Sequence, residues 1–232
     1  MNDEHGLNKL KKFQKELESF THLHKSAVED VHSLRLKCRE IHSLLDKGDE
    51  FYAQIKRVIK LSNEIRDIDV FFELYLASLP KKYLLKLDIK NVINFINEGR
   101  ERQLKKLHKY LESLSIPKIV TFDILNHEIN VTRVKEPTLD KDELHKYRIY
   151  IKKILYMKKN SFTKNNQIIN VLSQIKDVLG RLNDNFNGLK RLKNFGLKEE
   201  LFEKIEKFTQ KENLRFFTEF QELNKKYIGS AL

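Results

Sequence analysis

The sequence predicts an all-α protein, and three observations carry that prediction. Only 7 glycines and 3 prolines occur in 232 residues, too few for a sheet with many turns. Charged residues make up 34% of the chain and hydrophobic residues 40%, a balance that suits long amphipathic helices around a core. Apolar residues also recur at the three- and four-residue spacing of one helix face. We therefore expect one helical domain over residues 1–232.

Four helices are predicted in the first part of the chain. Apolar residues keep helical spacing in four stretches: Leu7 to Phe20, about Thr21 to Lys47, about Asp49 to Ser78 and about Asp88 to Leu114. Gly48 and Pro80 follow the second and third stretches, where a helix commonly stops. The third helix should bury one apolar face: Ile55, Val58, Ser62, Ile65, Phe72 and Leu76.

The helical spacing weakens from Ser115 to Thr138, where two prolines enclose a short helix-like piece around Phe122 to Ile129. We interpret residues 115–138 as a linker between a first helical half, about 5–114, and a second, about 139–228. Helical spacing resumes in three stretches: Leu139 to Lys159, about Asn165 to Asn194 and Leu197 to Tyr227. The aromatic residues of the last stretch predict core contacts rather than a ligand site: Phe202, Phe208, Phe216, Phe217 and Phe220.

Two of the predicted helices carry a row of basic residues beside the apolar face. In residues 31–45 the apolar face is Val31, Leu34, Cys38, Ile41 and Leu45. About 100° round the helix lies the first cationic row: His32, Arg35, Arg39 and His42. In residues 139–159 the apolar face is Leu144, Tyr147, Ile151 and Ile154. Beside it lies the second cationic row: His145, Arg148, Lys152 and Lys159. Cations at the edge of a packed face are expected to be partly buried, unlike cations that only solubilise a helix.

The spacing of these elements predicts an internal repeat. Residues 32 and 35 match residues 145 and 148 at an offset of 113. Further along, Ile65-Arg66-Asp67 matches Leu182-Asn183-Asp184 at an offset of 117. Lys56, Lys60, Asn63 and Arg66 also stand beside the apolar face of the third helix. We expect a duplicated helical hairpin with an approximate two-fold axis, in which each half contributes one histidine-bearing helix to a shared surface.

Two segments with the pattern H-x-x-R-x-x-x-basic, VHSLRLKCREIH and LHKYRIYIKKILY, are followed by EIRDIDV and LGRLNDN respectively. In this order they resemble the CHAD domain, the histidine-containing α-helical domain, over roughly residues 5–228. The resemblance implies two helical bundles related by a pseudo-two-fold axis, with a basic central groove or pore. It also implies that the protein binds inorganic polyphosphate and associates with polyphosphate granules.

The binding residues that the resemblance implies are His32, Arg35, Arg39, Arg66, His145, Arg148, Lys152 and Lys153. His42 and Lys60 are second-rank candidates. Three positions depart from the family pattern and lower the local positive charge: Glu40, Leu155 and Asn183.

The overall charge agrees with a polyanionic partner. The net charge is +12 and the isoelectric point about 9.5, which suits nucleic acid, an anionic membrane surface or a phosphate polymer. Polyphosphate carries charge at every unit and has no bases to read. Guanidinium groups offer forked donors to phosphate oxygens, ammonium groups act as point charges, and a nearby phosphate favours protonated histidine.

A nucleic-acid-binding protein is the first alternative. The same net charge would serve it, but the sequence contains no helix-turn-helix, RNA-binding or zinc motif, and its aromatic residues lie on apolar faces rather than among the basic residues.

The second alternative is an enzyme that transfers phosphoryl groups to or from polyphosphate. The sequence lacks a G-x-x-x-x-G-K-[S/T] loop, a G-x-G-x-x-G turn and the E-x-E-x-K motif of triphosphate tunnel enzymes. A histidine acceptor would need a metal and a general acid or base. Asp67 and Asp69 cannot share a helix face, so they do not suggest a metal site. We expect no catalysis, no cofactor and no metal.

The sequence also bears on location. Cys38 is the only cysteine, so no intrachain disulfide can form, and its place on an apolar face favours a reducing compartment. The N-terminus has acids before its bases and no apolar core, unlike a signal peptide. No apolar run approaches the roughly 20 residues of a membrane span. We expect a cytoplasmic protein without a membrane partner.

Overall fold

A computed structural model of the chain describes residues 2–23, 26–117, 120–121, 135–160 and 166–231, with the backbone alone at 2–5, 156–157, 159–160 and 228–231. The regular elements of these residues are all helical, which confirms the predicted all-α class. In chain order they are α1 (Asn2–Thr21), α2 (Val28–His42), α3 (Glu50–Val70), a π-helical segment (Phe71–Leu76), α4 (Lys81–Leu84), α5 (Ile89–Glu112), α6 (Lys141–Asn160), α7 (Asn166–Phe195) and α8 (Glu199–Ala231).

The chain divides into two compact units. Unit 1 comprises Met1–Phe72 and Lys90–Glu128, and unit 2 comprises Glu73–Ile89 and Ile129–Leu232. The sequence predicts a first helical half over about residues 5–114, whereas the structure groups Glu73–Ile89 with unit 2. Tyr75 accounts for the difference, because its ring packs on Gly188 of α7 and its hydroxyl lies 3.1 Å from Oγ1 of Thr209 on α8.

The core of unit 1 is formed by α1, α2, α3 and α5. All five residues of the apolar face predicted around α2 are buried in it, and the rings of Phe13 and Phe51 meet edge to face with centroids 6.3 Å apart. A buried leucine or phenylalanine side chain contributes about 1.5–3 kcal/mol. Burial also raises the pKa of the Cys38 thiol to about 12, so this thiol stays protonated inside the core.

Helix α2 is shorter than the predicted stretch from Thr21 to Lys47. It begins at Val28, where the Asp30 carboxylate accepts the backbone N–H of Ala27 at 2.6 Å and places negative charge at the helix N-terminus. After His42 the chain turns, and the Asp46 carboxylate accepts the N–H of Gly48 at 2.6 Å. Gly48 therefore lies in the turn before α3 rather than at the end of α2.

Helix α3 continues into the π-helical segment, so the predicted helix from Asp49 to Ser78 has nearly the expected extent. The Asp49 carboxylate caps it by accepting the N–H of Phe51 at 2.8 Å. The wider π-helical turn changes which side chains share a face. Phe72, predicted on the apolar face, is 45% exposed, while Phe71 and Tyr75 are buried.

The core of unit 2 contains α6, α7 and α8, and the predicted apolar face of α6 is buried there. The Asp140 carboxylate accepts the N–H groups of Asp142 and Glu143 at 2.9 and 3.0 Å and so fixes the start of α6. The last stretch of the chain forms a single long helix, α8. The predicted piece at 122–129 lies outside the described residues. Within the described part of the chain, no helix is both long and apolar enough to cross a bilayer.

Candidate functional site

The first cationic row lies on α2, beside α3. The Nε atom of Arg35 donates a 2.6 Å hydrogen bond to Oδ1 of Asn63, and the Arg35 side chain is half-buried. This contact holds a guanidinium group at the edge of the apolar face of α2. The predicted partial burial of this cation is therefore observed.

The neighbours of Arg35 follow from the register of the two antiparallel helices. His42 stacks on Tyr52 and lies close enough to Lys56 for their charges to interact. His42 follows Arg35 by seven residues on α2, and Lys56 precedes Asn63 by seven residues on α3. By the same register His32 lies level with Arg66, and Arg39 lies level with Ile59, the residue before Lys60. His32 and Lys60 are exposed, while Arg39 and Arg66 are half-buried. All the predicted site residues of unit 1 therefore lie on α2 or α3.

His42 differs from the other residues of this row. Its ring stacks on Tyr52 with centroids 4.1 Å apart, and its Nε2 atom is buried without a hydrogen-bond partner. Burial lowers the pKa of His42, and the positive charge of Lys56 lowers it further. This imidazole is mainly neutral near pH 7, so His42 adds little charge to the row.

The second cationic row lies on α6, beside α7. A Cβ atom placed on Gly180 would be 3.6 Å from Nη2 and 3.8 Å from Nε of Arg148, so the guanidinium group lies over the backbone of this glycine. Nζ of Lys141 donates to Oδ1 of Asn187 at 3.0 Å. Lys141 precedes Arg148 by seven residues on α6, and Asn187 follows Gly180 by seven residues on α7. These two contacts fix the register of the antiparallel pair.

The remaining predicted residues of unit 2 differ in placement. His145 is exposed and faces Asn183 in this register, and Lys152 is half-buried. Lys153 is exposed, but it follows Arg148 by five residues and therefore points about 140° away round α6. Lys153 thus lies off the row. The side chain of Lys159 is outside the described atoms.

The two helix pairs share one register. The offsets of 113 and 117 carry Arg35 and Asn63 onto Arg148 and Gly180, the residues that meet in the second pair. The sequence predicts both arginines as site residues, but it does not predict that they contact Asn63 and Gly180. An asparagine orients the first guanidinium group, and a glycine makes room for the second.

The second pair carries less positive charge than the first. Asn183 occupies the position equivalent to Arg66, and Asp177 the position equivalent to Lys60. Asp177 also pairs with Lys176 at 2.9 Å. The described cations of the site are therefore concentrated on the α2–α3 pair.

Glu40, the acidic departure on α2, is paired with two lysines. Its carboxylate lies 3.3 Å from Nζ of both Lys9 and Lys37. Partial burial raises the pKa of Glu40, but the hydrogen bonds and charges of the two lysines outweigh burial, and the net shift is downward. Glu40 is therefore engaged by one lysine from α1 and one from α2.

The basic residues of α5 fall into two groups. Nε of Arg100 donates to the buried carboxylate of Asp69 at 2.8 Å, and its Nη1 atom donates to the backbone oxygen of Ser26 at 2.8 Å. Arg100 is therefore tied to the interior of unit 1. Three lysines of the same helix are exposed: Lys105, Lys106 and Lys109.

Metal chemistry has no obvious location here. Among the described residues, no group of three or more histidine, cysteine, aspartate or glutamate side chains is placed to hold a metal ion.

Comparison with models of known protein families, with characterised proteins and with solved structures gave no significant match for this chain.

Proposed function

We propose that this protein is a CHAD-type module that binds inorganic polyphosphate and does not turn it over. The observation that carries the proposal is the shared register of the two helix pairs, with Arg35 over Asn63 and Arg148 over Gly180. This correspondence supports the internal repeat that the sequence predicts. It would give each half an equivalent arginine for the same kind of ligand.

The spacing of the cations suits a phosphate polymer. Residues three or four apart on a helix are separated by about 4.5 to 6 Å along its axis. Adjacent cations can therefore reach nearby phosphate units of one flexible chain. Arginine suits this task because its planar donors match phosphate oxygens, and fixing the guanidinium group beforehand lowers the entropy lost on binding.

The unequal charge of the two pairs makes the proposal more specific. The α2–α3 pair carries five of the predicted cations on its two helices: His32, Arg35, Arg39, Lys60 and Arg66. The α6–α7 pair has Asn183 and Asp177 where the first pair has Arg66 and Lys60. We expect the α2–α3 pair to contribute the larger part of the affinity.

Nucleic-acid binding is the second candidate function, favoured by one observation. Lys105, Lys106 and Lys109 are exposed on α5, away from the two rows in sequence. Diffuse attraction by such lysines would hold any polyanion, including RNA and DNA.

Phosphoryl transfer to or from polyphosphate stays a further alternative, which metal-dependent turnover would reveal.

The test is a competition experiment. The full chain is bound to long-chain polyphosphate and challenged with single-stranded RNA or duplex DNA at low and at moderate salt. Polyanion binding weakens with salt whatever its specificity, so the comparison at higher salt separates a shaped site from diffuse charge. We expect polyphosphate to be retained against both nucleic acids at the higher salt. Equal competition at both salt concentrations would refute the proposal and leave a general polyanion binder.

A further inference from the structure

Unit 2 contains a cavity that neither cationic row explains. Its volume is about 450 Å³, in the range that encloses small organic ligands. The π-helical segment supplies Leu74 and Tyr75 to its wall, α7 supplies Arg181 and Asp184, and α8 supplies residues that include Phe216. Arg181 follows Gly180 directly, so it projects about 100° round α7 from the glycine that faces Arg148.

The π-helical segment and a glycine shape this cavity. A Cβ atom on Gly188 would lie only 2.2 Å from Cγ of Tyr75, so the tyrosine ring rests directly on the α7 backbone. The buried Tyr75 hydroxyl then pairs with Oγ1 of Thr209 at 3.1 Å. Because π-helical turns are uncommon and often occur at functional sites, a segment of this kind beside a cavity points to a ligand.

An aromatic ring flanked by two cations is the main chemical feature of the cavity. The Cζ atoms of Arg181 and Arg215 lie 5.4 and 4.9 Å from the centroid of Phe216. Nη2 of Arg215 is engaged by the Glu212 carboxylate at 2.7 Å. Arg181, in contrast, makes no ion pair with any described residue. Arg181 is therefore the cation that remains available to a ligand.

The rest of the wall limits which anion can enter. Phe208 and Phe216 supply aromatic surface, and the ring of Tyr83 holds Phe208 from α4 with centroids 6.1 Å apart. The Asp184 and Glu212 carboxylates also line the cavity. They would repel a highly charged polyanion inside the cavity, because nearby like charges repel each other. A ligand with an apolar ring and one anionic group fits this combination.

We infer that this cavity binds a small molecule that joins an aromatic ring to a single phosphate or carboxylate group, with the ring against Phe208 and Phe216 and the anion on Arg181. The inference does not depend on polyphosphate binding, since it uses none of the residues of the two cationic rows. The helical spacing of the sequence predicts core contacts for both phenylalanines. Their half-buried positions in the cavity wall give them a second role.

The experiment measures binding of four probes to the full chain by calorimetry: phenyl phosphate, inorganic phosphate, phenol and benzylamine. We expect phenyl phosphate to bind at least tenfold more tightly than each of the other three. Arg181→Gln should weaken phenyl phosphate at least tenfold, and Phe216→Leu should also weaken it. Lys190→Gln is the matched control, because Lys190 is exposed on the same helix and does not line the cavity.

Three results would overturn the inference. The first is no binding of phenyl phosphate at about 10 mM, a concentration that would fill a site with a Kd of about 1 mM. The second is equal binding of inorganic phosphate, or tighter binding of benzylamine, which would assign the cavity to bare anions or to cations. The third is an equal effect of Arg181→Gln and Lys190→Gln. Polyphosphate affinity, measured on the same variants, should not change, so failure here is distinguishable from failure of the proposed function.

Discussion

The Nε atom of Arg35 donates a 2.6 Å hydrogen bond to Oδ1 of Asn63, and this contact links the two helices of unit 1 that carry most of the predicted site. At the equivalent place in unit 2, Arg148 lies over Gly180, which has no side chain to bond. The first guanidinium group is therefore held by a directed bond. The second is accommodated by the space over a glycine. The unequal charge of the two pairs determines how the two arginines should respond to substitution.

Reversing the charge of both arginines should remove most of the proposed polyphosphate binding. We expect Arg35→Glu with Arg148→Glu to lower affinity at least tenfold, or about 1.4 kcal/mol, because attraction is replaced by repulsion. Arg35→Glu alone should cost more than Arg148→Glu alone. Calorimetric titration with long-chain polyphosphate measures both effects, and circular dichroism checks that helicity is unchanged.

The control for this prediction is Lys105→Glu with Lys106→Glu, which reverses two exposed charges on α5. It changes net charge by the same amount as the arginine pair. A similar loss of affinity in both double variants would mean that binding follows net charge, and the two-row interpretation would be wrong.

Much of the fold followed from periodicity alone. The apolar faces predicted around α2 and on α6 are buried throughout, because three- and four-residue spacing directly reports which side of a helix packs. The bounds of α2 were less predictable. They depend on side chains such as Asp30 and Asp46, which bond the backbone locally and compete with a longer helix.

The candidate site was predictable in part. The rows of basic residues identify the helices, and Arg35 and Arg148 each contact the helix that follows their own. The π-helical segment and its cavity could not be predicted, because they depend on contacts such as that between Tyr75 and Thr209, 134 residues apart. Pairing over such separations leaves no periodic signal in the sequence.

The ion pair of Arg100 and Asp69 should be a major contributor to the stability of unit 1. Asp69 is 3% exposed and its bond from Arg100 is 2.8 Å long. Asp69→Ala would leave the guanidinium group without its partner, at an expected cost of about 3 kcal/mol in the free energy of unfolding. Urea denaturation measures this. Glu200→Ala, which removes a pair with Lys204 at the exposed start of α8, should leave the midpoint unchanged. Equal effects would show that the buried pair has no special weight.

Two glycines should respond to alanine in opposite directions. In Gly188→Ala the new Cβ atom would lie 2.2 Å from Cγ of the buried Tyr75, so we expect a loss of about 1–3 kcal/mol from overpacking. In Gly99→Ala the nearest atom is Cδ1 of Ile68 at 3.7 Å, an ordinary contact. Alanine should therefore stabilise α5 by up to about 1 kcal/mol. Thermal denaturation of the two variants provides the measurement. Destabilisation by both would mean that α5 packs more tightly than the structure indicates.

His42 should make the stability of the protein depend on pH. Burial, and then the charge of Lys56, lower the pKa of His42 below its ordinary value of 6.5. Below about pH 6.5 the unfolded chain therefore binds more protons than the folded chain, and stability decreases as the pH falls. His42→Phe keeps a ring against Tyr52 and removes a buried Nε2 atom that has no hydrogen-bond partner. We expect the variant to lose less stability than the natural sequence between about pH 7 and about pH 5 in urea denaturation.

The exposed histidine of the same row gives the matched control for this pH effect. His32→Gln replaces an exposed imidazole on the same helix α2, so its slope of unfolding free energy against pH is the reference for the slope of His42→Phe. The carboxylates titrate in all three proteins and contribute equally to each slope, so the differences isolate the two histidines. If His42→Phe changes the slope no more than His32→Gln does, then the imidazole of His42 is not desolvated against Tyr52. In that case His42 could take up a proton beside a bound phosphate chain, and polyphosphate affinity should then fall in His42→Phe.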